Sequence, residues 1–142
     1  MILSQKKCNP GFTLIEILIA VAIVGLFMAI AGPAAMNMLK KSRMNAMKTA
    51  LRGYKSAIDI YNSDTGEYPG KLEDLMKCPS KELETKWMGG DLKLHYVDKL
   101  EKDPWGLPYI YERKEYNGNP YSLYSYGPDG KQSKRKYYVW DL

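Results

Sequence analysis

Phe12-Thr13-Leu14-Ile15-Glu16-Ile17-Leu18-Ile19-Ala20-Val21-Ala22-Ile23-Val24-Gly25-Leu26-Phe27-Met28-Ala29-Ile30-Ala31-Gly32-Pro33 is the stretch on which the fold turns. Only Thr13 and Glu16 interrupt its apolar character before Pro33. At ~1.5 Å rise per residue, the roughly 20 residues from Phe12 to Ala31 reach about 30 Å, the thickness of a bilayer's hydrocarbon core. Met1 to Gly11 ahead of it is short, polar and carries Lys6 and Lys7. Positive charge before the span and none within it favours a cytoplasmic N-terminus, with everything after Met36 translocated. Over all 142 residues, 45% apolar and 26% charged content excludes overall disorder and bounds the chain to one ordinary domain beside the span.

Two plain readings of the span are available. Ala29-Ile30-Ala31 offers a secretory cleavage site, and a simple anchor would hold Glu16 protonated or snorkelling. The run is long for a secretory signal, and Glu16 lies inside it. A carboxylate in hydrocarbon costs at least ~2.5 kcal/mol and is rarely kept without a function. Gly11-Phe12-Thr13-Leu14-Ile15-Glu16, behind a short basic leader and before an apolar helix, resembles the class III signal of prepilin-like proteins. The resemblance implies that a prepilin peptidase cuts after Gly11 and that the new amino group of Phe12 is methylated. Of 142 residues, 131 would be left once those 11 are removed. Cutting ahead of the apolar run keeps the whole helix in the product, where a secretory signal discards it.

A role for Glu16 follows from that cut. The new amine at Phe12 is a cation at the edge of the hydrocarbon, and Glu16 lies one helical turn further in. Staggered packing of helices would set Glu16 against the next subunit's Phe12 nitrogen, so that two charges costly in lipid neutralise each other only on assembly. Glu16 is then an assembly residue and not a catalytic acid. Gly25 with Ala29, and Ala31 with Ala35, are either close-packing faces or ordinary small residues of a membrane helix. Pro33 after Gly32 removes a helical hydrogen bond and predicts a kink or a locally melted turn.

Beyond Pro33 the composition stays helical, rich in Ala, Met, Leu and Lys. Met47, Leu51, Tyr54, Ile58 and Tyr61 recur at steps of four and three, predicting one helix from about Phe12 to Tyr61 whose second half packs on a head. Asn62 to Gly66 supplies turn residues to stop it, and Leu72, Leu75 and Met76 predict a short second helix before Pro79. Lys81 to Lys99 reads as short helix or extended chain, with a turn at Trp87-Met88-Gly89-Gly90. Asp103-Pro104-Trp105-Gly106 is a turn, Pro108 to Glu112 is extended, and Asn117-Gly118 is a hairpin signal. Tyr121 to Tyr126 predicts the return strand and Tyr137 to Trp140 a third. The expected fold is α+β: a long N-terminal transmembrane and stalk helix packed on a small antiparallel sheet, as in type IV pilin-like proteins. The expected division is a leader at 1–11, a transmembrane and assembly helix at 12–35, and a periplasmic head at 36–142 that includes the helix's second half.

Gly66-Glu67-Tyr68-Pro69, Lys102-Asp103-Pro104-Trp105-Gly106-Leu107-Pro108-Tyr109, Tyr121-Ser122-Leu123 and Ser125-Tyr126-Gly127-Pro128-Asp129-Gly130 narrow the resemblance. Together with the leader they resemble the major pseudopilin of type II secretion, from the leader to about Gly130. That resemblance implies a non-enzymatic subunit, anchored by one span in the bacterial inner membrane with its head in the periplasm. It implies a helical homopolymer, the periplasmic pseudopilus, that drives export of folded proteins. Its implied partners are copies of itself, minor pseudopilins, an inner-membrane assembly platform and the prepilin peptidase. The alternative is the major subunit of a type IV pilus or of a DNA-uptake pseudopilus.

The resemblance also implies a loop after the Asp-Gly turn that holds one calcium ion through carbonyls and acidic side chains. Asp129 is the matching acid and the carbonyl of Tyr126 a further oxygen. Here the chain departs from the family, running on through Lys131-Gln132-Ser133-Lys134-Arg135-Lys136. Calcium takes six to eight oxygens, several anionic, and four cations oppose it. The competing reading makes Asp129 an ordinary turn acid, with a Lys or Arg pairing to it in place of the metal and a head stable without calcium.

Other chemistry is thinly represented. A single His95 excludes a multi-histidine zinc centre in one chain and leaves little room for a His-based protease. Cys8 and Cys78 are too few for a disulfide scaffold, and neither Cys78 nor His95 has a partner at a recognisable spacing. Cys78 beside Pro79 is the one thiol left after cleavage. The net charge of +5 falls by two with the leader lysines, which is no footprint of a nucleic-acid binder.

Overall fold

The structure, a computed structural model, describes residues 11–87 and 95–142. The leader ahead of Gly11 and the turn expected just past Trp87 lie outside the described residues. The chain divides into two units, Met1–Lys40 and Lys41–Leu142.

In the first unit, helix α1 (Leu14–Thr65) opens on Thr13. The Thr13 hydroxyl accepts from the Glu16 N–H at 3.3 Å, and the Glu16 carboxylate accepts from the Thr13 N–H at 3.4 Å. This reciprocal pair is a capping box, satisfying two donors that a helix start otherwise leaves unpaired. From there to Leu39 the large apolar side chains are exposed, with Phe12 and Leu14 at 80% and Phe27 at 69%. This helix alone among the described ones is long and apolar enough to cross a membrane. Pro33 lies inside α1, which continues on both sides of it.

In the second unit, the rest of α1 buries Met47, Leu51, Tyr54, Ala57, Ile58 and Tyr61. These are the stripe residues and Ala57, and they form the core with Leu72, Leu75, Trp87, Tyr109, Tyr121, Leu123 and Val139. The helix runs one turn past the predicted end. Ser63 and Thr65 hydroxyls donate back to the Asp59 and Tyr61 carbonyls at 2.9 and 2.8 Å, which lets polar residues extend the last turn. Gly66, at φ +82°, then stops it, its N–H donating to the Asn62 carbonyl at 2.8 Å.

The predicted short second helix is present at Leu72–Leu75, with 3-10 geometry. Asp74 explains the tighter geometry: its carboxylate accepts from the N–H groups of Gly70 and Lys71 at 2.9 and 3.1 Å, drawing the chain into a short turn. Strands β1 (Ile110–Glu112), β2 (Ser122–Ser125) and β3 (Tyr137–Tyr138) make one antiparallel sheet in that order, with Tyr111 opposite Leu123 and Tyr124 opposite Tyr138. The hairpin turns on Asn117 and Gly118, both at positive φ, as the Asn-Gly signal required. The expected third strand is shorter than predicted, because Val139–Asp141 coils into a 3-10 turn. That turn brings the Trp140 indole N–H to the Tyr121 carbonyl at 3.0 Å.

Candidate assembly helix and turn network of the head

Glu16, Phe12 and Gly11 all lie at the exposed start of α1. Sequence reasoning gave Glu16 a partner in another copy; within the chain it also caps its own helix through Thr13. The signal was in view, since Thr13-Leu14-Ile15-Glu16 fits the capping-box spacing. The capping contact is long at 3.4 Å and exposed, so the carboxylate is free to exchange it for a stronger, charged donor.

In the head, the two most distinctive motifs meet in one hydrogen-bond network. Asp103 is 4% exposed, and its Oδ1 accepts from the Trp105 and Leu107 N–H groups at 3.0 and 2.9 Å. Its Oδ2 accepts from the Ser125 hydroxyl at 2.7 Å, and Ser125 Oγ in turn accepts from the Gly127 N–H at 2.9 Å. The Asp-Pro-Trp-Gly turn thus clamps the end of β2 and the start of the loop that follows. Gly66-Glu67-Tyr68-Pro69 is structural in the same way. Tyr68 packs on Tyr121 with ring centroids 5.4 Å apart, and the Pro69 carbonyl accepts from Tyr111 at 2.7 Å. Burial pushes Tyr111 up to about 12 and raises Tyr109 and Tyr121 further still.

Asp129 is exposed in the 3-10 stretch Gly127–Gln132, with Tyr126 half-buried before it. The donor set around them does not fit calcium. No group of three His, Cys, Asp or Glu side chains gathers among the described residues. The acids on the flanking elements are committed: Asp103 as above, and Asp141 to the Tyr116 hydroxyl at 3.1 Å. The expected ion pair to Asp129 is absent as well among the described residues. An exposed pair gains little. Instead two of the four cations lie on aromatic rings: Lys136 Nζ is 4.4 Å from the Tyr124 centroid and the Arg135 guanidinium 5.1 Å from that of Tyr137.

His95 is exposed and packs edge-on to Trp87 at 5.8 Å, and Cys78 is a half-buried thiol donating to the Ser80 carbonyl at 3.1 Å. Neither sits in a catalytic constellation among the described residues.

A capped, exposed apolar helix with a carboxylate at its start, continuous with the core helix of a small antiparallel head, defines a pilin-like filament subunit. Residues 6–32 match the prokaryotic N-terminal methylation motif, and residues 34–138 match type II secretion system (T2SS), protein G. The chain belongs to the type II secretion system protein G family. It is 36% identical over 131 residues to type II secretion system core protein G of Pseudomonas aeruginosa, covering 90% of this chain and 89% of that one. With the protein of the same name from Escherichia coli K12 it shares 30% over 125 residues, covering 85% and 83%. It also resembles the crystal structure of the major pseudopilin from the type 2 secretion system of enterohaemorrhagic Escherichia coli. There the TM-score is 0.59 at 25% identity, covering 75% of this chain and 94% of that one.

Proposed function

We propose that this chain is the repeating structural subunit of a periplasmic pseudopilus and has no catalytic role of its own. In this reading it is made with a leader of residues 1–11, cut after Gly11 by a prepilin peptidase and methylated on Phe12. It then waits in the inner membrane as a single-pass protein with its head in the periplasm. Polymerisation lifts the exposed stretch of α1 out of lipid and into contact with other copies, and growth of the polymer drives folded proteins outward. Minor pseudopilins and an inner-membrane assembly platform are its further partners. Relatives named as secretion proteins favour this over a type IV pilus or DNA-uptake pseudopilus.

The observation that carries the reading is Glu16 at the start of an exposed apolar helix, immediately behind the Gly11-Phe12 junction. In the single chain the carboxylate makes a weak cap; in a polymer it would exchange the Thr13 amide for the charged Phe12 amine of a neighbour. In this reading Gly32-Pro33 kinks or locally melts the helix and lends the polymer flexibility. N-terminal sequencing or intact mass of the membrane-extracted protein tests the proposal. The expected result is a chain beginning at methylated Phe12; a chain beginning at Gly32, after the Ala-x-Ala site, overturns it.

A further inference from the structure

We propose that the loop from Gly127 to Lys136 is fastened by aromatic packing in place of a divalent cation, so that head stability and polymerisation are independent of calcium. The consequence for polymerisation rests on the pseudopilus reading above; the fastening itself does not. Three contacts make the fastener. The ring of Tyr137 lies directly against the Gly127 backbone: a Cβ placed at Gly127 would meet Tyr137 Cε2 at 2.3 Å and Cδ2 at 2.7 Å. No other residue leaves room for that ring, and φ of +68° independently favours glycine there.

The second contact is Lys136, whose ammonium donates to the Tyr124 hydroxyl at 3.3 Å and lies 4.4 Å from that ring's centroid. Tyr124 is itself held edge-on to Tyr126 at 5.5 Å and tilted against Tyr138 at 5.0 Å. The third is the Asp103–Ser125–Gly127 relay, which ties the loop's first residue to the Asp-Pro-Trp-Gly turn. Leu107 of that turn also lies 3.8 Å from where a Gly130 side chain would begin. Both ends of the loop are therefore closed by side chains, and Lys136 serves the closure. A bound dication would face Lys131, Lys134, Arg135 and Lys136 with one exposed carboxylate, Asp129, in the same stretch. Calcium needs several anionic oxygens.

The test is a pair of thermal melts of the full-length protein in detergent, read by near-ultraviolet circular dichroism, in millimolar calcium chloride and in excess chelator. The two midpoints are expected to coincide within about 1 °C, and Asp129→Ala to move neither, because a ligand that binds only the folded state would separate them. Tyr137→Leu is expected to lower both midpoints equally by about 5 °C or more, with Lys136→Met lowering both by less. Gly127→Ala is the stricter probe, and Tyr137→Leu stands in for it if that variant does not fold. Calcium raising the wild-type midpoint by several degrees, with the rise abolished in Asp129→Ala, overturns the proposal. So do unchanged midpoints in both Tyr137→Leu and Lys136→Met. Either failure leaves the Phe12 N-terminus test untouched, so the loop and the pseudopilus reading fall separately.

Discussion

The two units of this chain solve opposite problems with one helix. Up to Leu39 the large apolar side chains are exposed, with no packing partner among the described residues. From Met47 to Tyr61 the apolar side chains are almost wholly buried, Met47, Leu51 and Ile58 at 0% exposure. The helical backbone is the same, and the difference lies in what completes it. The head segment finds its partners within 142 residues, through a sheet and turns that supply Tyr109, Tyr121 and Leu123. The other segment must take its partners from lipid or from other copies, because an exposed apolar face of that size is not stable in water. The comparison teaches that stability and assembly are separable here: substitutions in one segment report on polymerisation, and substitutions in the other report on folding.

Glu16→Ala is the largest expected break. It is expected to leave head melting unchanged and, on the proposed pseudopilus reading, removes the carboxylate that pairs with a neighbour's Phe12 amine. An unpaired charge in hydrocarbon costs at least ~2.5 kcal/mol, on the order of 50-fold in each addition step. Filaments sheared from cells overproducing the variant are expected to disappear. Undiminished filaments together with an unchanged head melt would make Glu16 a helix cap and nothing more.

Leu51→Ala against Leu26→Ala sharpens the same contrast. Leu51 is fully buried, so its truncation is expected to destabilise the head by about 2–5 kcal/mol. Leu26 is 65% exposed in the chain, and Leu26→Ala is expected to leave the head melt where it was. Chemical denaturation of both variants in the same detergent decides the matter. Equal loss in the two would mean that the units do not unfold independently.

Asp103→Asn tests the head's turn network at a smaller scale. The amide keeps one oxygen for the Trp105 and Leu107 N–H groups but presents an NH2 to Ser125, whose hydroxyl then has no acceptor. The expected loss is about 1–3 kcal/mol, the cost of leaving a buried donor unpaired. Ser125→Ala on the Asp103→Asn background should cost about 1–3 kcal/mol more, because it also leaves the buried Gly127 N–H without its acceptor.

How far the chain could be read in advance follows the same division. Period and turn chemistry are local, so the stripe from Met47 to Tyr61 and the Asn117-Gly118 hairpin were legible. The network of Asp103 with Ser125 joins residues 22 apart, and nothing in either stretch alone names the other. Likewise Lys136 reads as one of four solvated cations until β2 and β3 pair and set it over Tyr124. At Leu72 the apolar spacing gives a short helix but not its pitch, and at Val139 it fits a strand that ends at Tyr138 instead. Single polar contacts, by Asp74 and by the Trp140 indole, accompany the 3-10 geometry at both. At Glu16 the resemblance to a processed signal drew attention to a partner in another copy. The four-residue capping box from Thr13 to Glu16, which needs no other copy, went unnoticed.

The smallest expected effect concerns Tyr121, and it also divides the two units. All twelve tyrosines lie at Tyr54 or beyond, so phenol titration acts on the head alone. Burial raises Tyr109, Tyr111 and Tyr121, Tyr111 to about 12. A folded value above the unfolded one of about 10 means the fold favours the protonated phenol, so stability is complete below pH 10 and is lost as pH rises toward 12 and beyond. Among these three Tyr121 is distinctive, since its hydroxyl is buried with no hydrogen-bond partner among the described residues. Removing an unsatisfied buried hydroxyl loses no bond and relieves a desolvation cost. Tyr121→Phe is therefore expected to leave neutral-pH stability unchanged or to raise it by up to about 1 kcal/mol, and to shrink the alkaline loss. Tyr111→Phe gives up the bond to the Pro69 carbonyl and is expected to lower neutral-pH stability by about 1 kcal/mol. Urea melts of both variants at pH 7 and pH 11 measure the four values. If Tyr121→Phe proves as damaging at pH 7 as Tyr111→Phe, then its hydroxyl has found a partner and the head's aromatic core is better satisfied than its geometry indicates.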